Sequence, residues 1–436
     1  MLTKTFGYNL PKELIAQESI KPRDRSRLLV LKRASCHPEL VSGSCWAKVS
    51  NKMLKQVQPD SFIHDHFYNI GKYLRKGDVV VLNDTKVIPA RLITNQGKEI
   101  FLLKNLSKDD SKWFCLTRCK GRTLVSFSGS DLQGRIVDKN GQKVIYFNQR
   151  DRAFWSIIEK IGEVPTPPYI VRASRGESRT KNDNSSRFVL ASARTHSNSN
   201  LRKLFQENKY YQTVFAQKKG SVAAPTAGFH FTQKLINRLK KRGVRFVFIT
   251  LHIGLGTFMP IRAERIEDHQ MHAEWFNLSK YTADILNRAK SDGRRIIAVG
   301  TTTTRVLESC AITPPYPTNK PNYYLKTQSG ETKIFITPGY KFKFVDALIT
   351  NFHLPHSTPL LLASAFIEDK CHCERLAGSA AISRRRDCFV AAAHRNDKKN
   401  AVSRNDSGIK ILLEAYKQAT KKKYRFYSFG DAMLIL

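Results

Sequence analysis

Apolar runs alternate with helical patterns from residue 221 to residue 366, and this alternation limits the fold more than any other feature of the chain. SVAAPTAGFHF (221–231) leads into a helical segment that ends in Lys-Lys-Arg before Gly243. RFVFITLHIG (245–254) reads as a buried strand, and a helix is expected over Thr282–Lys290, closed by Asp292-Gly293. RRIIAVG (294–300) is a second strand opening into the helix of TTTTRVLES, and VDALITNFHLP (345–355) is a third that runs into a loop. Strand–helix alternation of this kind builds an α/β sheet whose chemistry gathers at the strand ends.

Upstream, the texture differs. EIFLLK, KWFCLTRC, TLVSF, GRIV and KVIYF are short β-type segments between Arg91 and Phe147, and Asp138-Lys139-Asn140-Gly141 has the composition of a hairpin turn. A helix, RAFWSIIEKIG, follows. The expectation is an α/β large domain with a mixed sheet or barrel-like core, formed by residues 1–90 and 161–436. A small all-β domain, residues 91–160, is expected to be inserted near the N-terminal third. Three spans break the pattern, 34–61, 173–209 and 369–408, and are expected to be disordered insertions because they lack sustained apolar periodicity. The last contains CHCERLAGSAAISRRRDCFVAAAHRND.

The 436 residues carry 74 Lys and Arg against 36 Asp and Glu, a formal charge of +38. A charge of that size points to polyanionic partners, nucleic acid first. No apolar run approaches the ~20 residues of a membrane-spanning helix, and MLTKTFGYNLPKELIAQ lacks the apolar centre of a secretory signal. A soluble, cytoplasmic protein is expected. The eight cysteines do not form the repeated pairs of a zinc knuckle, so reduced thiols and no metal are expected.

Four polar clusters stand at strand–loop or strand–helix junctions. Pro225, Thr226, Gly228 and His230 form the first; Pro and Gly shape a turn beside a histidine able to take or give a proton near neutral pH. His252, Gly254 and Gly256 form the second, a G-x-G without the third glycine of the dinucleotide fingerprint. Shortly after come His269, His272 and Glu274, a metal pattern if helical and otherwise a surface network. The third is Gly300 with the threonines 301–304 and Arg305, an anion cradle or a simple helix cap. The fourth, Thr350, Asn351, His353, Ser357 and Thr358, packs many hydrogen-bonding groups between two apolar runs, where each unpaired group would be costly.

The motifs NDTKVIPARL, VAAPTAGFHF, TLHIGLGTF, EDHQMH, AVGTTTTRVLES, TNFHLPHST and YRFYSFGDAM, in this order, resemble those of the S-adenosylmethionine:tRNA ribosyltransferase-isomerases of queuosine biosynthesis. The resemblance implies ribosyl transfer from S-adenosylmethionine, a co-substrate, onto a 7-aminomethyl-7-deazaguanine wobble base in the anticodon arm of tRNA. It implies no cofactor, no metal, no membrane partner and a monomer. His230, His252 and His353 become acid–base candidates. Asn83, Thr85 and Arg91 from the first motif, and Arg425 and Asp431 from the last, join Thr226, Gly228, Gly254, Gly256, His269, His272, Gly300, Thr350, Asn351, Ser357 and Thr358 as substrate-binding candidates. Arg305 with Thr301 and Thr302 would hold the methionyl carboxylate or a tRNA phosphate. The three irregular spans depart from the family pattern, and the third resembles the translation product of a small mobile palindromic repeat. A non-catalytic basic RNA-binding protein, or an enzyme inactivated by its insertions, is the alternative.

Overall fold

The computed structural model describes residues 1–32, 62–165, 167, 169–170, 211–254, 256, 260–313, 323–377 and 407–436, with side chains left aside at 370–377 and 407. Its centre is a nine-stranded mixed sheet. In spatial order the strands are Gln328–Thr332, Glu274–Leu278, Arg245–Leu251, Val79–Asn83, Ile296–Val299, Ala347–Asn351, Ala432–Ile435, Arg27–Leu31 and Phe62–His66. The third to sixth run parallel. Ala432–Ile435 is antiparallel to them and parallel to Arg27–Leu31.

Val79–Asn83, Ile296–Val299 and Ala347–Asn351 are buried at every position, because helices cover both faces. That is why they read as unbroken apolar runs rather than alternating ones. Val79, Val81, Ile296, Ala298 and Leu348 pack on one face against the helices Lys280–Ser291, Thr301–Cys310, Thr358–Ala377 and Ser407–Lys421. Val80, Leu82, Ile297, Val299 and Ile349 pack on the other against Leu235, Ile236 and Leu239 of the helix Gln233–Lys241. The helix expected over Thr282–Lys290 starts two residues earlier, because the Ser279 hydroxyl caps it by accepting from the Thr282 amide at 3.2 Å.

The upstream segments form a separate six-stranded antiparallel sheet, from Arg91–Ile93 to Thr123–Ser126. It curls until its outer strands meet, with Thr94 bridging Phe127. The helix Asp151–Ile161 packs Phe154 and Ile158 into its core. The Asn140-Gly141 turn is present, with φ of 52° and 78°. Curling belongs to this smaller sheet; among the described residues the two outer strands of the large sheet do not pair with each other, which corrects the barrel-like alternative for it.

Spans 34–61 and 173–209 lie outside the described residues, as does most of 369–408. The ends of the third span need correction. Asp369 is buried within the helix Thr358–Ala377 and accepts the Phe342 amide at 3.2 Å. Gly408 lies in the helix Ser407–Lys421, so close to Ser364 and Glu368 that a Cβ there would collide with backbone. Both ends belong to the packed fold.

Candidate functional site

Asn83, Leu251, Val299 and Asn351 end the four parallel strands on the same side of the sheet. The segments that follow line a half-open cleft. Its walls come from Thr226 and Ala227, from Gly300–Thr302, from Thr350–Leu354, and from Ser357, Tyr427 and Ser428. Carboxyl ends of parallel strands are where open α/β sheets place their ligands.

Asn351 organises one wall. Its Oδ1 accepts from the Thr226 hydroxyl at 3.0 Å, and its Nδ2 donates to the Tyr427 carbonyl at 3.3 Å and to His230 Nε2 at 3.2 Å. His230 is buried and completes the chain by donating Nδ1–H to the Ser26 hydroxyl at 2.7 Å. Burial, with Arg23 and Arg425 nearby, lowers its pKa to about 3. The ring is neutral at pH 7 and stands behind Asn351 as its support.

His353 lines the cleft itself. Its Nε2 meets the Thr350 hydroxyl at 2.7 Å. Its backbone N–H donates to the Tyr416 hydroxyl at 2.9 Å, and its carbonyl accepts from the Tyr8 hydroxyl. Two tyrosines therefore fix the backbone from which the ring projects. Desolvation lowers the pKa to about 3, and among the described residues Nδ1 has no hydrogen-bond partner.

On the opposite wall Gly300 has φ of 87°, a conformation that favours glycine. It turns the strand Ile296–Val299 directly into the helix Thr301–Cys310. The first amides of that helix have no intrahelical acceptor and carry the positive end of the helix dipole, and Gly300, Thr301 and Thr302 line the cleft.

The model of the queuosine biosynthesis protein family matches residues 3–384 and 406–435. The chain belongs to that family. Among curated relatives, the S-adenosylmethionine:tRNA ribosyltransferase-isomerases of Halothermothrix orenii and a Thermoanaerobacter species are 38% and 37% identical to it, each over 100% of both chains. The crystal structure of S-adenosylmethionine tRNA ribosyltransferase from Thermotoga maritima is 29% identical, covers 99% of this chain and 100% of its own, and superposes with a TM-score of 0.44.

Several residues of the queuosine-family motifs sit away from the cleft. Arg305 corrects the expectation of a carboxylate or phosphate clamp. It is buried in an ion pair with Glu274 and also donates to the carbonyls of Ile334, at 3.2 Å, and Thr332, at 3.4 Å. Arg91 is likewise engaged by Glu99 and Glu163. Asp431 is fully buried and accepts from the Arg27 and Arg425 amides, at 2.8 Å each, while the Arg425 guanidinium reaches the Glu18 carbonyl. Asn83 ties strand ends together, accepting from the Leu251 amide and donating to the Leu251 carbonyl, both at 3.0 Å; its amide also reaches the Thr302 hydroxyl at 3.3 Å. Gly228 makes room for Phe215 and Thr213 rather than for a ligand.

Thr85 bonds His252 Nδ1 at 2.8 Å, and the His252 ring stacks on Trp275 at 4.9 Å. Burial lowers the His252 pKa to about 4. Gly254 donates its amide to Glu274 at 2.9 Å, and Gly256 lies against His272. His269 follows a single 3-10 turn and meets Phe335 at 5.2 Å, so the helical metal pattern does not form. Ser357 donates to the Leu354 carbonyl at 2.7 Å, and Thr358 opens the next helix. Sequence reasoning missed Tyr427 and Ser428, although both lie inside the motif YRFYSFGDAM. It also missed Tyr8 and Ser26, for which no local pattern exists.

Proposed function

We propose that this chain transfers and isomerises the ribosyl moiety of S-adenosylmethionine onto the 7-aminomethyl-7-deazaguanine wobble base of tRNA. The product base is epoxyqueuosine, and adenine and methionine leave. The names of the full-length relatives support the reaction. In the structure, His353 carries the reading: a neutral imidazole held on a clamped backbone beside a cleft at the carboxyl ends of parallel strands.

With Nε2–H donating to Thr350, the Nδ1 lone pair of His353 is the cleft's base. It takes a proton from the attacking amine or from the carbon beside the sulfonium. The amides at the start of the helix Thr301–Cys310 hold the methionyl carboxylate, the task that Arg305 is not placed to do. Thr226, Thr302 and the Tyr427–Ser428 segment shape the nucleoside pocket. So low a pKa makes His353 a weak base and its protonated form scarce at pH 7, so it takes a proton only in step with bond formation, and the proton that departing adenine requires comes from a hydroxyl, water or the substrate base.

S-adenosylmethionine acts as co-substrate with no further cofactor, and the enzyme works as a cytoplasmic monomer on the anticodon arm. No described helix is long and apolar enough to cross a membrane. The curled sheet with its helix, residues 91–160, is read as a small inserted domain, and residues 1–90 and 161–436 as the catalytic one. The deciding assay measures adenine released from S-adenosylmethionine with and without tRNA carrying the precursor base, and the mass of that base afterwards. Adenine release that is independent of tRNA, or an unchanged base, defeats the proposal.

A further inference from the structure

We infer that the exposed face of the helix Gln233–Lys241, continued by the turns at the amino ends of the parallel strands, is a track for the phosphate backbone of RNA. The inference rests on the tRNA-modifying reading above and adds where the RNA body lies. The helix begins three residues beyond His230, which supports the cleft wall through Asn351. It therefore starts beside the cleft and runs to the opposite edge of the sheet.

The helix QKLINRLKK contains no acidic residue. Leu235, Ile236 and Leu239 face the core, while Lys234, Arg238 and Lys241 recur at i, i+4 and i+7 on the exposed side. At its end three chain segments converge. The Gly77 amide donates to the Gly243 carbonyl at 2.9 Å, the Arg245 amide to Asp78 at 2.9 Å, and the Val79 amide to Arg295 at 2.9 Å. The Arg242 side chain lies over Gly71, Lys76 over Gly243 and Arg294 over Gly77. Arg75, Lys76, Lys240, Lys241, Arg242 and Arg245 are thereby brought onto one exposed edge.

The acidic groups near this edge are already used. Asp78 is paired with Arg295, Asp292 with Arg294 and Asp65 with Lys72. Among the described residues no ion pair neutralises the six cations just named. Like charges this close lie within a Debye length and repel one another, so the edge is built for an external polyanion. At the cleft end of the helix an aromatic step favours nucleic acid over other polyanions. His66 and Tyr68 stack at 5.3 Å with planes 14° apart, Tyr68 is 38% exposed, and Arg238 donates to the Tyr68 carbonyl. Cations beside exposed stacking rings are the recurring combination of RNA-binding surfaces.

The test uses the full chain and two RNAs, a complete tRNA and a stem-loop of its anticodon arm alone. Affinity is measured by fluorescence anisotropy over a salt series. In a Lys240→Glu/Lys241→Glu/Arg242→Glu variant, tRNA affinity should fall at least ten-fold. The slope of log affinity against log salt should shrink by about 2 to 3, because each phosphate that the protein no longer neutralises takes ~0.9 from it. The stem-loop should lose less, and its turnover at saturation should be unchanged. Tyr68→Ala should weaken the stem-loop by about ten-fold, and Tyr68→Phe should not. A charge-reversed control on the curled sheet, Lys120→Glu/Arg122→Glu, should leave both RNAs bound. Unchanged affinity and slope in the triple variant overturn the track. So does a variant that keeps tRNA but loses vesicles of acidic phospholipid, since the face would then be a membrane contact. Absence of adenine release would instead strike the catalytic reading, because the binding measurements need no turnover.

Discussion

Breaking the pair between Glu274 and Arg305 distinguishes a structural arginine from one that holds substrate. The two side chains are 5% and 8% exposed. Glu274 also accepts the Gly254 amide at 2.9 Å, so the pair ties the helix Thr301–Cys310 to the loop after the strand Arg245–Leu251. Removing one member of a buried pair leaves the other charge without compensation and costs ~3–5 kcal/mol, while replacing both by apolar groups of similar volume is often close to neutral. Arg305→Met is therefore expected to lose ~3–5 kcal/mol of stability. Glu274→Gln should lose less, because its amide oxygen still accepts from Gly254. The double variant Glu274→Leu/Arg305→Met should recover part of the loss, and with Glu274→Leu as the other single variant the cycle should give a coupling energy above ~1 kcal/mol. Denaturant midpoints at constant slope measure these differences. Adenine release at a temperature where every variant is folded measures function. An Arg305→Met protein that unfolds like the parent yet shows a ten-fold higher KM for S-adenosylmethionine would refute the structural role and return Arg305 to the binding site.

Other consequences are as direct. His353→Ala should lower turnover by ~10²–10⁴-fold with tRNA affinity unchanged; equal turnover removes His353 from the chemistry. His230, His353 and His252 have pKa values lowered to about 3, 3 and 4, so between those values and the unfolded value near 6.5 the unfolded chain binds more protons. Stability is then complete above pH 6.5 and is lost as pH falls, by ~1–2 kcal/mol per histidine between pH 7 and pH 5; identical denaturant midpoints at the two pH values would contradict the burial. Replacing residues 378–406 with a Gly-Ser linker long enough to return from Ala377 to Ser407 should leave the melting temperature within a few degrees of the parent's. Deleting 369–408 should lower it clearly, because Asp369 and the packed Gly408 go too; equal melts would show that neither residue matters to the packing.

The strands over 296–299 and 347–351 were legible because burial on both faces leaves apolar runs that little else produces. The polar cluster 350–358 was legible for a complementary reason. Hydrogen-bonding groups next to a core need partners, and the structure supplies them in Thr226, His230 and Tyr427. Direction was not legible. TTTTR after a strand reads as an anion cradle, yet Arg305 stands at the fifth helical position and turns away from the cleft to Glu274, a partner 31 residues upstream. Asn83 and Asp431 lie in motifs just as suggestive, and both spend most of their hydrogen bonds on backbone. Gly228 looked like a ligand approach and is a packing glycine. Composition and spacing show that a polar residue must be paired; only the fold shows with what.

The wall of the cleft is better understood as a set of satisfied hydrogen bonds than as a row of catalytic groups. Asn351 has three partners and the His230 ring has two, so neither is free to exchange protons without losing structure. Their low polar freedom fixes the geometry of the groups that remain open: His353 Nδ1 and the amides at the start of the helix Thr301–Cys310. Fixed donors and acceptors in a partly desolvated cleft need little reorganisation as charge develops during reaction. A change at Asn351 should then act through His353 and Tyr427 position rather than through lost chemistry. Asn351→Asp makes the point sharply. It keeps the acceptor for Thr226 but removes the donor to His230 and to the Tyr427 carbonyl, and it places a carboxylate against a ring that can take a proton. The His230 pKa should rise from about 3 toward the ordinary range. If the clasp positions the wall, turnover falls and regains part of its loss at mildly acidic pH, where a protonated His230 again donates to residue 351. Turnover that only declines as pH falls would show that Asn351 contributes something other than this geometry.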